Sequence, residues 1–187
     1  VDESGPGLLV LRFRMQKRPE SGFDMLAKPI RDILSDLGFN RPTETQNLAI
    51  PKINSGQNVL VVAPTATGKT EAALLPVLSR YLAKGPNKGI AVLYVTPLRA
   101  LNRDLLNRVI HLTTKLGIRC DVRHGDTPAS QRRKQTRIPP EMLITTPETL
   151  QAILPSRGMR KHLRWVRAVI IDEIHELVQD KRGAQLT

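Results

Sequence analysis

Residues 58–70 read Asn-Val-Leu-Val-Val-Ala-Pro-Thr-Ala-Thr-Gly-Lys-Thr, a strand-length apolar run that breaks into a short loop and reaches Gly-Lys-Thr at the head of a helical stretch. Few features restrict a fold as much. A strand must deliver the loop, and a helix must begin where it ends, with the positive end of its dipole facing whatever the loop encloses. Backbone N–H groups that curl in this way cradle phosphates. Gly68 permits close backbone approach, Lys69 reaches the β- and γ-phosphates, and Thr70 offers a hydroxyl to magnesium. The candidate cradle is Thr65, Ala66, Thr67, Gly68, Lys69, Thr70 and Glu71, which makes ATP and Mg2+ the expected cofactors. The general pattern of such loops has glycine where this chain has Ala63, and alanine at position 66 costs a tight turn some freedom.

The rest of the chain repeats the same rhythm. Strand-length apolar runs rich in Val and Ile fall at 58–63, 90–96, 118–123, 142–145 and 168–171. They are apolar at consecutive positions, as strands buried on both faces of a parallel sheet are. Helical stretches lie at 29–37, 44–53, 68–83, 99–116 and 130–137. The expected fold class is α/β, a doubly wound parallel sheet of P-loop NTPase type, with ligands at the carboxyl ends of the strands. Residues 1–22 mix Gly, Pro and charge without period and read as an N-terminal extension. Residues 23–187 read as one domain, a length that suits a single core.

The run at 168–171 ends in Asp172-Glu173-Ile-His175. In this topology both carboxylates emerge beside the phosphate loop. Asp172 is placed to hold magnesium, and Glu173 to orient and deprotonate an attacking water. His175 is a candidate sensor of the γ-phosphate. Lys69, Asp172, Glu173 and His175 form the expected catalytic set, with Thr70 and Asp172 as the metal ligands.

Charge narrows the partner. The chain carries +12 at pH 7, and its basic residues cluster at 12–18, at Arg132, Arg133, Lys134 and Arg137, and at Arg157, Arg160, Lys161, Arg164 and Arg167. Such a balance favours nucleic acid or an anionic surface. With 3% aromatics, phosphate contacts rather than base stacking would carry the binding. No apolar run approaches membrane-spanning length. The single cysteine, Cys120, excludes an intramolecular disulfide framework and fits a reducing, intracellular (cytoplasmic or nucleoid-associated) location.

Taken together, these residues resemble superfamily-two helicases from about Phe23 onward. Gly38-Phe39-Asn-Arg41-Pro-Thr-Glu-Thr-Gln46 is similar to the Q-motif, which implies adenine recognition by Gln46 with Phe39 and Arg41; Thr45 stands where isoleucine is more usual. Thr96-Pro97-Leu-Arg99-Ala-Leu is similar to motif Ia and Thr145-Thr146-Pro147-Glu148 to motif Ib. Asp172-Glu-Ile-His175 is of the DExH type. The stretches at 99–104, His124-Gly125-Asp126-Thr127-Pro128 and 180–183 are closest to the large helicase-related (Lhr) family. The resemblance implies the first RecA-like domain of an ATP-dependent DNA or RNA helicase, truncated before a second RecA-like domain of the same full-length chain. It also implies single-stranded nucleic acid held by Pro97, Arg99, His124, Gly125, Asp126, Thr146, Pro147 and Glu148. Thr146 as N-cap and Pro147 as first helical residue supply a physical basis for one of these contacts. Two other readings stay open: a P-loop ATPase that remodels protein partners, and a basic nucleic-acid-binding module whose phosphate loop is a relic.

Overall fold

The computed structural model describes residues 21–86, 88–98 and 103–178. A short 3-10 turn (Gly22–Met25) leads into α1 (Lys28–Leu34), α2 (Glu44–Asn54) and α3 (Lys69–Lys84). There follow β1 (Val92–Val95), α4 (Arg103–Lys115), β2 (Cys120–Arg123), α5 (Ala129–Arg137), β3 (Met142–Thr145), α6 (Pro147–Ile153), α7 (Arg157–Leu163), β4 (Ala168–Ile171) and α8 (Ile174–Val178). The four strands form one parallel sheet in the order β2-β3-β1-β4.

Alternation along the central strands divides the core. Val92 and Tyr94 of β1, with Met142 and Ile144 of β3, join a large cluster that takes in Ile30, Ile50, Leu75, Leu78 and Val109. Leu93, Val95 and Leu143 turn to the other face and pack with Ile90, Ile153 and Met159. Successive side chains point to opposite sides of a strand, so continuous apolar runs produce two cores, one under α1–α4 and one under α6 and α7. This is the expected doubly wound arrangement. Among the described residues no helix is long and apolar enough to cross a membrane.

Local chemistry sets the helix starts. Thr43 and Gln46 form a reciprocal capping box at α2. Thr146 Oγ1 accepts from Thr149 N–H at the start of α6, with Pro147 first in the helix as expected. The first expected helix stops at Leu34 and passes through a turn to Gly38, whose φ is +81°.

Two expectations need correction. Residues 58–63 form no strand and pair with none among the described residues. Val59 and Val61 pack against the large core, whereas Leu60 and Val62 are 72% and 87% exposed. Apolar residues at consecutive positions signal packing on two faces; here one face has a core beneath it and the other has none. Gly22, assigned to the extension, already belongs to the packed unit: it is buried, and its N–H donates to Asn47 Oδ1 at 2.9 Å.

Candidate functional site

All four strands point their carboxyl ends the same way, so the residues that follow them lie along one edge in the order Asp172, Thr96, Thr146, His124. With neighbouring strands about 4.8 Å apart, the two ends of this row are separated by about 14 Å.

The phosphate loop is built against α2. Gly68 caps α3 in the left-handed region at φ 77°. A Cβ there would crowd Gln46 Nε2 and displace that amide, so glycine, already favoured by φ, also leaves Gln46 its place. Gln46 is 2% exposed. Its amide oxygen accepts from Thr43 N–H at 3.0 Å, and its Nε2 donates to Gly68 O at 3.3 Å. Thr43 Oγ1 donates to Thr67 O, and Thr67 Oγ1 to Pro64 O, both at 2.8 Å. Lys69 Nζ donates to the carbonyls of Ala63 and Pro64, each at 2.8 Å. Ala66 is held at φ 61°, in the left-handed region that favours glycine.

At the end of β4, Asp172 N–H donates to Val95 O at 2.9 Å, which anchors the acidic pair to β1. Tyr94 Oη donates to Asp172 Oδ2, and Asp172 Oδ1 accepts from Glu173 N–H at 2.9 Å. Burial first, then the neighbouring Asp172 carboxylate, raises the Tyr94 pKa far above its ordinary value, so this hydroxyl keeps its proton. The Thr70 side chain lies near the same hydroxyl and partly opposes the rise in its pKa. Tyr94 thus bonds one of the two residues proposed from sequence as metal ligands, Asp172, and lies near the other, Thr70. Sequence reasoning missed Tyr94. The available signal was a lone phenol inside an aliphatic strand, since a buried hydroxyl needs a partner.

Glu173 takes φ 50°, and its Oε2 lies 3.3 Å from His175 Nδ1. A non-glycine residue in that region is strained, as residues held in place for chemistry often are. Glu71 faces elsewhere: it is buried and pairs with Arg108 at 3.1 Å, tying α3 to α4. Phe39 is half-buried against the large core, and Arg41 is exposed. Among the described residues no cluster of three or more His, Cys, Asp or Glu side chains is suited to a metal. Thr70 and Asp172 nevertheless suit magnesium, which takes few protein oxygens and completes its shell with water and phosphate. Burial pushes the Cys120 thiol up to about 12, so it stays protonated at neutral pH.

The far half of the edge is held differently. His124 N–H donates to Thr127 Oγ1 at 2.9 Å, Thr127 N–H to His124 O at 3.1 Å, and Asp126 N–H to His124 Nδ1 at 3.3 Å. Arg132 clamps the loop from below through Thr127 O at 2.7 Å and through Gly125 O. Gly125 is exposed, and a Cβ there would meet nothing within 4 Å. Pro97 and Pro147 are buried, and Glu148 is exposed. Arg99 and the segment 180–183 lie outside the described residues.

Residues 43–187 match the DEAD/DEAH box helicase family. The chain belongs to that family. It is similar to the ATP-dependent helicase Lhr-Core of Sulfolobus acidocaldarius, with 43% identity over 156 residues, covering 77% of this chain and 18% of the relative. It is 40% identical to the Lhr helicase/uracil glycosylase of Escherichia coli over 168 residues, 79% of this chain and 11% of that protein. Among solved structures, the Mycobacterium smegmatis helicase Lhr bound to ssDNA and AMP-PNP superposes with a TM-score of 0.75 at 38% identity, covering 89% of this chain and 22% of that one. The chain thus spans a small part of its relatives' length. Within the DEAD/DEAH box family it is a helicase ATP-binding core domain of RecA-like α/β fold, and the resemblance to Lhr helicases read from its motifs agrees with these relatives.

Proposed function

We propose that this chain is the first core domain of an ATP-driven motor of the Lhr type that moves on single-stranded DNA or RNA. The observation that carries the reading is the Tyr94 hydroxyl bonded to Asp172, with Thr70 of the phosphate loop close by. The α2 contacts hold the loop in shape, so little reorganisation is needed when phosphates arrive. Lys69 exchanges the carbonyls of Ala63 and Pro64 for β- and γ-phosphate oxygens. Thr70 and Asp172 would hold magnesium, which would supply neutralisation of phosphate charge. Glu173 orients the attacking water and accepts its proton, with His175 beside it to report the state of the γ-phosphate. Gln46 still has one amide hydrogen and one lone pair free of the contacts described above, enough to read an adenine edge, with Phe39 and Arg41 flanking. His124, Gly125, Asp126, Thr146, Pro147 and Glu148 lie along the other half of the edge with Pro97 beside them, and these residues together with Arg99 contact the phosphates of one strand. A second RecA-like domain of the full-length chain closes on this one and supplies cations to the opposite side of the transferred phosphoryl group. The site of action is intracellular, where ATP and nucleic acid are.

The test is ATP turnover of the full-length protein with and without single-stranded DNA or RNA. Stimulation by nucleic acid, abolished by Lys69→Ala, is the expected result. ATP binding that responds only to protein clients would replace this reading with the remodelling ATPase, and no ATP binding at all would leave a relic loop.

A further inference from the structure

The sheet has a second edge, where the strands begin, and it carries charge that the proposed motor does not use. From Thr127 to Ile171 the chain has nine Lys and Arg residues against two carboxylates, Glu141 and Glu148. Glu141 is engaged by Tyr81 Oη at 2.9 Å and Arg119 N–H at 2.8 Å. Glu148 lies at the start of α6, toward the opposite edge. Asp121 of β2 is flanked by Lys134 and Arg119.

Two helices distant in sequence converge here. His162 Nε2–H donates to Thr136 O at 2.9 Å, and Gly158 packs so closely on Thr136 that an added Cβ would lie 2.9 Å from its methyl. His162 O accepts from Ile90 N–H at 3.2 Å, which fixes the pair at the edge where β1 begins. Inward, Gln135 and Met159 are buried. Outward, Arg133 and Arg137 stand one turn apart on α5, and Arg157, Arg160, Lys161 and Arg164 recur at i, i+3, i+4 and i+7 on α7 and its cap; all six are exposed. That spacing lines one face of a helix. Among the described residues none of the six has a carboxylate within ion-pair distance. Like charges at i, i+4 destabilise a helix. Arg157 moreover opens α7, where the helix dipole disfavours a cation. A merely solvated surface would mix both signs.

We propose that the α5–α7 stripe is a second nucleic-acid contact that grips the phosphate backbone of a double helix. It rests on the reading of this chain as a nucleic-acid motor, and it lies on the opposite sheet edge from the residues assigned there to a single strand. A duplex suits it because α7 offers guanidinium and ammonium groups along one helix face, with Arg133 and Arg137 exposed on the adjoining α5, the chemistry that positions a protein on a phosphate backbone. Trp165, the chain's one tryptophan, is 39% exposed beside Arg164 and reports on the site.

The experiment uses the full chain with Arg157→Glu, Arg160→Glu, Lys161→Glu and Arg164→Glu combined. A matching alanine set separates lost attraction from new repulsion. Blunt duplex affinity is expected to fall about 100-fold, and the log–log salt slope to lose roughly 2–4. Affinity for a short single strand and for an ATP analogue should stay within about twofold. Trp165 emission should respond to duplex and not to the short strand. Equal losses for duplex and single strand, or no loss for either, would overturn the proposal, as would a silent Trp165. If the unsubstituted chain binds neither nucleic acid, the motor reading itself fails, which is a separate outcome.

Discussion

The two halves of the carboxyl edge are assembled by different means. Beside β4 and β1, bonds join distant segments: Tyr94 to Asp172, and the Gln46 and Thr43 side chains to backbone carbonyls of the phosphate loop. Beyond β3 and β2, side chains bond their own backbone: Thr146 caps its helix, and Thr127 and His124 close a loop on themselves. The difference follows from the work each half is proposed to do. Phosphoryl transfer needs charges fixed relative to one another, so they are braced through the core. Gripping a uniform phosphate chain needs only a loop of stable shape, which local bonds supply.

Substitutions in the two halves should therefore fail in different ways, and each outcome is best read in the full-length protein. Glu173→Gln removes the proposed base and should lower nucleic-acid-stimulated ATP turnover by about 10²–10⁴ while ATP-analogue affinity holds; comparable loss of both would mean that Glu173 braces the site. Lys69→Ala removes a charge-assisted contact worth about 1.5–3 kcal/mol, so fluorescent ATP-analogue affinity should drop roughly 10–150-fold. Tyr94→Phe takes away only a hydroxyl, yet by analogy with other groups that orient metal ligands the magnesium concentration for half-maximal turnover should rise about tenfold or more. An unchanged magnesium requirement would reduce Tyr94 to a packing residue.

In the other half, Thr127→Ala should weaken single-strand binding a few-fold, with ATP-analogue affinity untouched. Any nucleotide effect would show that the halves are coupled through the sheet. Smallest of all, Ala66→Gly relieves a left-handed residue at a cost of about 1 kcal/mol, visible as a rise of about 2–4 °C in Tm; a fall would mean that Ala66 limits the unfolded loop more than it strains the folded one.

Much of this was legible in the chain itself. Lys69, Thr70 and Asp172 could be placed from residue types and their order along alternating strands and helices, because the cradle requires them at those points. Tyr94 could not: within Val-Leu-Tyr-Val it reads as one more buried apolar residue, and only the fold sets its hydroxyl on Asp172 and near Thr70. Gln46 was assigned to a ligand, whereas its burial shows an added task inside the protein. Periodicity located 58–63 but was silent on pairing, since it reports which side chains are buried and not which backbone lies alongside. The joining of α5 to α7 depends on a contact between residues 136 and 162, a separation that no local pattern spans.

The segment at 58–63 also bears on how this chain behaves in a tube. Leu60 and Val62 offer an apolar strip on backbone that pairs with no strand among the described residues, the kind of surface on which copies of a chain adhere edge to edge. A net charge of +12 keeps such copies apart at low ionic strength. Added salt shortens the reach of that repulsion to roughly 3 Å at 1 M, and kosmotropic anions strengthen apolar adhesion at the same time. The salt that strips nucleic acid from this domain during purification is thus also the condition under which it clouds, and a chaotropic or mildly charged additive is the gentler route.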